Sequence, residues 1–406
     1  MKEIFINNLA RIKEIPKQDL SWNCCLVFAF TIPISQFVSV RLIILTLIIS
    51  LIIVRSRINY LSYISKNLDV LFFLFVIVLG LLYTFEFPTG LGVIETNFSM
   101  VGLSFVFFTI RMNEDRFYEI FVTFIKGLFL SCLICLLSSF LSFFKTCSLS
   151  VFLFDKFTSS LDFQPTYFAY YLVFAITFGL YLLKYKKSNT KPWIIASLIF
   201  FFFLILMLTG GRTSFISLLL VFSFFLLSFF LDEERISQIH TFSLIVAMML
   251  GMFATTFYEK DTRTLILNDS WDRYDLWKSA ISANTNFLFG VGTGDYKVVL
   301  NEYFRSHNMK KYAADSLNSH NQFIQTYLSN GLLGLVAIIF LLGRPLYSSF
   351  MRGYPLGILV FFPFLLYGMT EVFLGRYQGV VFFAFLHQAF IAYLASSKPT
   401  VSLKSP

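Results

Sequence analysis

Apolar runs, most of them 17 residues or more, the length a helix needs to cross hydrocarbon, and the shortest 14, recur along the chain with short polar breaks between them. They fall at 21–37, 39–54, 69–85, 97–110, 118–144, 165–183, 192–208, 213–231, 240–257, 322–342, 355–370 and 377–395. In lipid the backbone must satisfy its own hydrogen bonds, so a span is a helix or part of a closed barrel, and runs this long exclude the barrel. The pattern predicts an all-α polytopic membrane protein with about twelve transmembrane helices. One stretch breaks the rhythm. From 258 to 319 the chain is polar, and it gives way to a new apolar helix in SLNSHNQFIQTYLSNGLLGL, residues 316–335. The chain thus divides into N-terminal transmembrane helices (1–257), a large loop (258–321) and C-terminal transmembrane helices (322–406).

Charge orients this pattern. Lys2, Arg11, Lys13 and Lys17 precede the first run, and Arg55, Arg57, Lys66 and KYKKSNTK at 184–191 fill later breaks on the same side. Short breaks on the other side, such as EFPTGLGVIETN, are poor in bases. The positive-inside rule therefore places both termini in the cytoplasm and 258–319 in the periplasm, since a loop near 60 residues can be translocated despite its bases. The N-terminal segment is basic and lacks a cleavable-signal pattern.

Composition agrees: 57% of the 406 residues are hydrophobic and 14% charged, against roughly 25% charged in soluble domains. The net charge of +9 then reports cytoplasmic loops and membrane lipids, not nucleic acid. The 54 phenylalanines are expected to fill lipid-facing positions, where bulky apolar side chains are interchangeable. Lys126, inside a span, should snorkel or meet a partner helix. Cys132 and Cys135 have CxxC spacing, but they lie inside an apolar run without His or acidic neighbours, so no metal or redox site is expected.

The candidate chemistry gathers on the outer face. His320 stands where the 322–342 helix begins, a poor position for lipid contact and a good one for a proton acceptor; the alternative is a helix-capping imidazole. Arg212, in the tight turn LTGGRTSF, presents a five-donor fork at the membrane surface, or serves as an interfacial anchor. In NDSWDRYDLWKSAIS, a helix with Asn268, Asp269 or Ser270 as its cap puts Arg273 and Trp277 on one face. That face suits an anionic glycolipid, or else is an interfacial amphipathic helix. GVGTGD at 290–295 has no dinucleotide-binding context and is expected to be a tight turn that folds the loop back. Glu371 and Arg376, in GMTEVFLGRYQG, could orient His320, hold substrate or pair with each other. His307 is expected to be solvated, and His387 to bond between helices.

In combination, TGGRTSFISL, the Arg273 helix, NFLFGVGTGDY, SHNQFIQTYLSNGLLGL and TEVFLGRYQGVVFFAF resemble the O-antigen ligase and O-antigen polymerase superfamily of bacterial envelopes, over about residues 205–390. The resemblance implies a GT-C-like inverting glycosyltransferase of the bacterial inner membrane that needs neither metal nor cofactor. Its donor would be a glycan on undecaprenyl diphosphate. Its acceptor would be lipid A-core for a ligase or another lipid-linked glycan for a polymerase. His320 then matches the catalytic histidine, and Arg212 and Arg273 match the arginines that hold the diphosphate; from their own chemistry and place, Trp277, Glu371 and Arg376 are expected as further substrate contacts. A lipid-linked glycan transporter has a similar span count, but should show internal repeats and charges near the bilayer midplane. A structural or signalling membrane protein would have no use for His320 and two arginines at one surface.

Overall fold

The computed structural model describes residues 17–54, 59–185, 190–231, 248 and 262–396, and every regular element among them is helical. In chain order these are α1 (Lys17–Thr31), α2 (Gln36–Val54), α3 (Tyr60–Lys66), α4 (Leu68–Leu81), α5 (Phe87–Thr109), α6 (Glu114–Thr146), α7 (Phe154–Thr158) and α8 (Pro165–Tyr185). There follow α9 (Pro192–Thr209), α10 (Arg212–Leu231), α11 (Thr262–Ala283), α12 (Tyr296–Ser306), α13 (Lys310–Ala314), α14 (Gln322–Met351), α15 (Pro355–Thr370) and α16 (Tyr377–Ser396). Seven helices are long and apolar enough to cross a membrane, and α3 with α4, bent by 83° at their junction, would make an eighth. Leu20–Thr31, Arg212–Ser228 and Pro355–Thr370 are shorter apolar helices. The run predicted at 240–257 lies, Met248 apart, outside the described residues. This is a polytopic helical membrane protein, and the described residues alone do not reach twelve crossings.

Three local expectations are corrected. EFPTGLGVIETN is not a loop. Phe87 begins α5 with Pro88 in its first turn, where the missing N–H costs nothing. Thr96 and Asn97 satisfy their side chains on the carbonyls of Gly92 and Val93, one turn back. The polar stretch GRPLYSSFMRG does not end α14, which continues to Met351. There Arg344 finds a partner inside the fold. The helix start expected at Asn268, Asp269 or Ser270 is moved, because α11 begins at Thr262.

The centre of the bundle is α8 and α16, whose apolar windows are 89% and 83% buried; the other spans expose more of themselves to lipid. This is also where the phenylalanines depart from expectation. Many line the interior, with Phe117 and Phe121 edge to face at 4.7 Å and Phe124 against Phe174 at 5.7 Å. Such offset ring pairs add directional attraction to area burial. Lys126 lies on an exposed position of α6, and Cys132 and Cys135 are buried free thiols.

Buried Asp69 accepts hydrogen bonds from Arg344 Nη1 at 2.6 Å and His387 Nε2 at 2.7 Å, tying α4, α14 and α16 together. His387 is therefore the interhelical hydrogen bonder expected of it.

The segment between α10 and α14 packs a small core against α14, with Leu276, Ala280, Leu300, Phe304, Tyr312 and Leu328. It is strapped to the bundle by GVGTGD. Gly331 interrupts α14 with φ 62° and ψ −155°, a region open essentially to glycine alone. At the break, Leu332 and Leu333 donate N–H groups to the carbonyls of Phe287 and Leu288, while Val291 and Gly292 donate to Leu328 and Ser329. The crossing loop thus replaces the helix's own lost bonds. Further along, the Asp295 carboxylate accepts from Phe85 N–H at 2.9 Å and Glu86 N–H at 2.7 Å. A Cβ at Gly331 would clash with the Leu288 carbonyl carbon. Gly331→Ala should therefore cost more than the roughly 1–3 kcal/mol of backbone strain alone. Thermal melting in detergent would show this as a lower Tm, and an unchanged Tm would mean the loop yields freely.

Candidate active site

His320 occupies a turn built to aim it. The turn reads Asn318-Ser319-His320-Asn321, with His320 at φ 44°, a left-handed conformation in which His is tolerated better than most residues. Asn318 Oδ1 accepts the His320 N–H at 2.9 Å. Fully buried Ser319 donates to Asn321 O and to Gln325 Oε1. Asn321 is the N-cap of α14, its Oδ1 accepting from Phe323 and Ile324 N–H. The expected helix start is thus real, and the cap is Asn321 rather than the imidazole.

The same cap reaches sideways. Asn321 Nδ2 donates to Met369 O at 3.2 Å, and Gln322 Oε1 accepts Leu374 N–H at 2.8 Å. These two bonds clamp the 369–374 segment against the start of α14 and bring Glu371 to His320. Glu371 Oε2 lies 3.5 Å from His320 Nδ1, and its other oxygen lies 3.9 Å from Arg273 Nη2. All three side chains are between a fifth and a third exposed. Ion pairs at such separations and exposures stabilise a fold by at most about 1 kcal/mol, so this trio is better understood as geometry than as glue. His320 Nδ1 itself is sealed from solvent and has no closed hydrogen bond among the described atoms. The carboxylate is its nearest acidic neighbour, and Nε2 is the nitrogen left for a substrate.

Arg212 joins the corner through its neighbour. Thr209 ends α9, Gly210 turns at φ 64°, and Arg212 starts α10 as an exposed residue. Thr213 Oγ1 and Thr370 Oγ1 are hydrogen-bonded at 2.8 Å, so the arginine turn abuts the residue before Glu371. Trp277, one turn after Arg273, is half-buried with its indole N–H sealed and unpaired among the described residues. Arg376 does not join the trio. Among the described residues no ion pair links it to Glu371, and it lines a separate polar pocket beyond the 373–375 turn. The possible Glu371–Arg376 pair is thus corrected: Glu371 faces His320 and Arg273 instead. His307 is exposed, with Nδ1 on Tyr303 O and its ring stacked on Tyr303 at 4.0 Å, remote in role from this cluster.

The sequence pattern did not foretell the clamp. Asn321 is legible as a cap, but nothing in the chain says that its amide, or that of Gln322, would bond a loop about 50 residues on. Thr213–Thr370 is equally hidden.

Residues 196–339 match the O-antigen ligase family. The match supports the O-antigen ligase and polymerase superfamily for this chain, as the resemblance implied, and points to ligase- or polymerase-type glycosyl transfer. The family segment runs from α9 past the Gly331 break of α14. It carries Arg212, Arg273, Trp277 and His320, while Glu371 and Arg376 lie beyond it. A Haemophilus influenzae protein (strain ATCC 51907 / DSM 11121 / KW20 / Rd), described as an uncharacterized protein, is 24% identical over 140 residues, covering 32% of this chain and 34% of the relative. The chain thus matches about a third of that relative's length.

Proposed function

We propose that this chain is an inverting, metal-independent glycosyltransferase of the bacterial inner membrane, an O-antigen ligase that moves a glycan from undecaprenyl diphosphate to lipid A-core on the periplasmic face. The observation that carries the reading is the convergence of Arg273, Glu371 and His320 at one corner, with the Arg212 turn against it. In this mechanism the Glu371 carboxylate accepts a hydrogen bond from the Nδ1–H of His320 and fixes the tautomer, leaving the Nε2 lone pair as base. Nε2 takes the acceptor hydroxyl's proton, and the oxygen attacks the anomeric carbon from the face opposite the leaving group. The bond from that carbon to the diphosphate oxygen breaks, and its electron pair leaves on the diphosphate. Arg212 and Arg273 meet the charge that develops there, as preorganised forks.

Glu371 and His320 stand 3.5 Å apart, and catalytic hydrogen bonds commonly tighten in the complex with substrate. Two measurements test the proposal. Purified protein given a lipid-diphosphate glycan, lipid A-core and EDTA should form the joined product; no product, or product lost on adding EDTA, overturns it. In a deletion strain, surface polysaccharide gels should lose all glycan-capped core. Survival of a single capped repeat would make the enzyme a polymerase instead.

A further inference from the structure

A second polar pocket, about 490 Å³, opens beyond the 373–375 turn, between the start of α2, the segment after α7 and the start of α16. Gln36, Asp155, Asp162, Arg376, Tyr377 and Gln378 line it. It is built, not incidental. Asp162 takes a left-handed backbone at φ 54°. Its carbonyl accepts two amide donors from different helices, Gln36 Nε2 at 3.1 Å and Gln378 Nε2 at 2.9 Å. Gln378 is buried, and its Oε1 faces the Gln164 N–H at 3.4 Å. The Asp162 carboxylate is thereby held at the pocket with no ion pair among the described residues. Asp155 and Arg376 likewise have none.

This lining selects a ligand class. Two carboxylates repel an anion and a guanidinium repels a cation, so neither diphosphate nor metal is favoured. A neutral polyhydroxylated ring answers both, donating its hydroxyls to the aspartates and accepting from the arginine, with the Tyr377 ring beside it. The pocket is linked to the catalytic corner through Arg376, five residues after Glu371. The Tyr167 hydroxyl lies 3.5 Å from Val372 O and within electrostatic reach of both Glu371 and Arg376. The diphosphate forks stand on α10 and α11 and do not line the pocket. We propose that this pocket holds a neutral pyranose of the acceptor glycan and delivers its neighbouring hydroxyl to His320. The assignment to acceptor rather than donor sugar rests on the transferase reading; the sugar site itself does not.

Steady-state transfer by Asp162→Asn and Asp155→Asn protein should show acceptor KM raised roughly tenfold or more, as expected for a lost hydrogen bond to a charged group. The kcat and donor KM should be unchanged. A rise in donor KM instead would give the pocket to the donor glycan and overturn the assignment. Direct binding separates the two readings. Nanodisc-embedded protein should give saturation-transfer NMR signals with delipidated core oligosaccharide or repeat-unit oligosaccharide, both as wild type and as His320→Ala. The Asp155→Asn/Asp162→Asn double variant should lose them. Wild-type protein that binds neither probe, or a double variant that binds like wild type, refutes the pocket. Binding that needs the aspartates in a protein that transfers nothing would refute the transferase and leave the sugar site standing.

Discussion

His320→Ala protein should bind a lipid-diphosphate glycan about as well as wild type and transfer none of it at a measurable rate. Removing a positioned general base costs roughly 10²–10⁴-fold. The arginines that would hold the diphosphate stand on α10 and α11 and do not depend on the imidazole. The matched control is His307→Ala, thirteen positions earlier. That ring is exposed and stacked on Tyr303, so its loss should be nearly silent. Single-turnover transfer with purified variants separates chemistry from binding. Equal rates for His320→Ala and wild type would remove the histidine from the mechanism. A matching loss in both variants would show that the outer segment had been damaged instead. Glu371→Gln should fall between the extremes: the amide keeps the shape of the carboxylate but cannot stabilise an imidazolium, so kcat drops while donor affinity holds.

Arg212→Lys and Arg273→Lys should each lower transfer by roughly 10²–10³-fold at normal protein levels. Lysine keeps the charge but not the planar fork that meets two phosphate oxygens at once. For Arg273 the shorter reach of a single ammonium also gives up the 3.9 Å approach to Glu371. Rates measured against donor concentration decide the matter. Near-normal transfer by Arg212→Lys would make that residue an interfacial anchor, fixing the helix ends and nothing more.

Much of this architecture is legible in the chain because lipid enforces it. Runs of apolar residues have one backbone solution, and GVGTGD at 290–295 could be recognised as a turn because its glycines suit a tight fold-back. The candidate residues could be singled out in the chain, since Arg212 interrupts an apolar stretch and His320 stands where the polar segment gives way to α14. What escaped is what holds them. Asn321 to Met369, Gln322 to Leu374 and Thr213 to Thr370 are bonds between ordinary polar residues distant in sequence. No periodicity encodes such pairings, and Glu371 could not be assigned to His320 rather than Arg376 without them. The helical course of 87–97 was missed for a related reason, as its polar side chains bond back to their own helix.

The Asp69 cluster sets an order of assembly. Asp69 leaves the ribosome 275 residues before Arg344 and 318 before His387. A carboxylate without its partners is expensive to leave in lipid. Until the last helix is made, α4 must keep that end near water or at the translocation machinery, and the nascent bundle stays unlocked. Chains truncated before α16 would lack one partner of the Asp69 carboxylate for good.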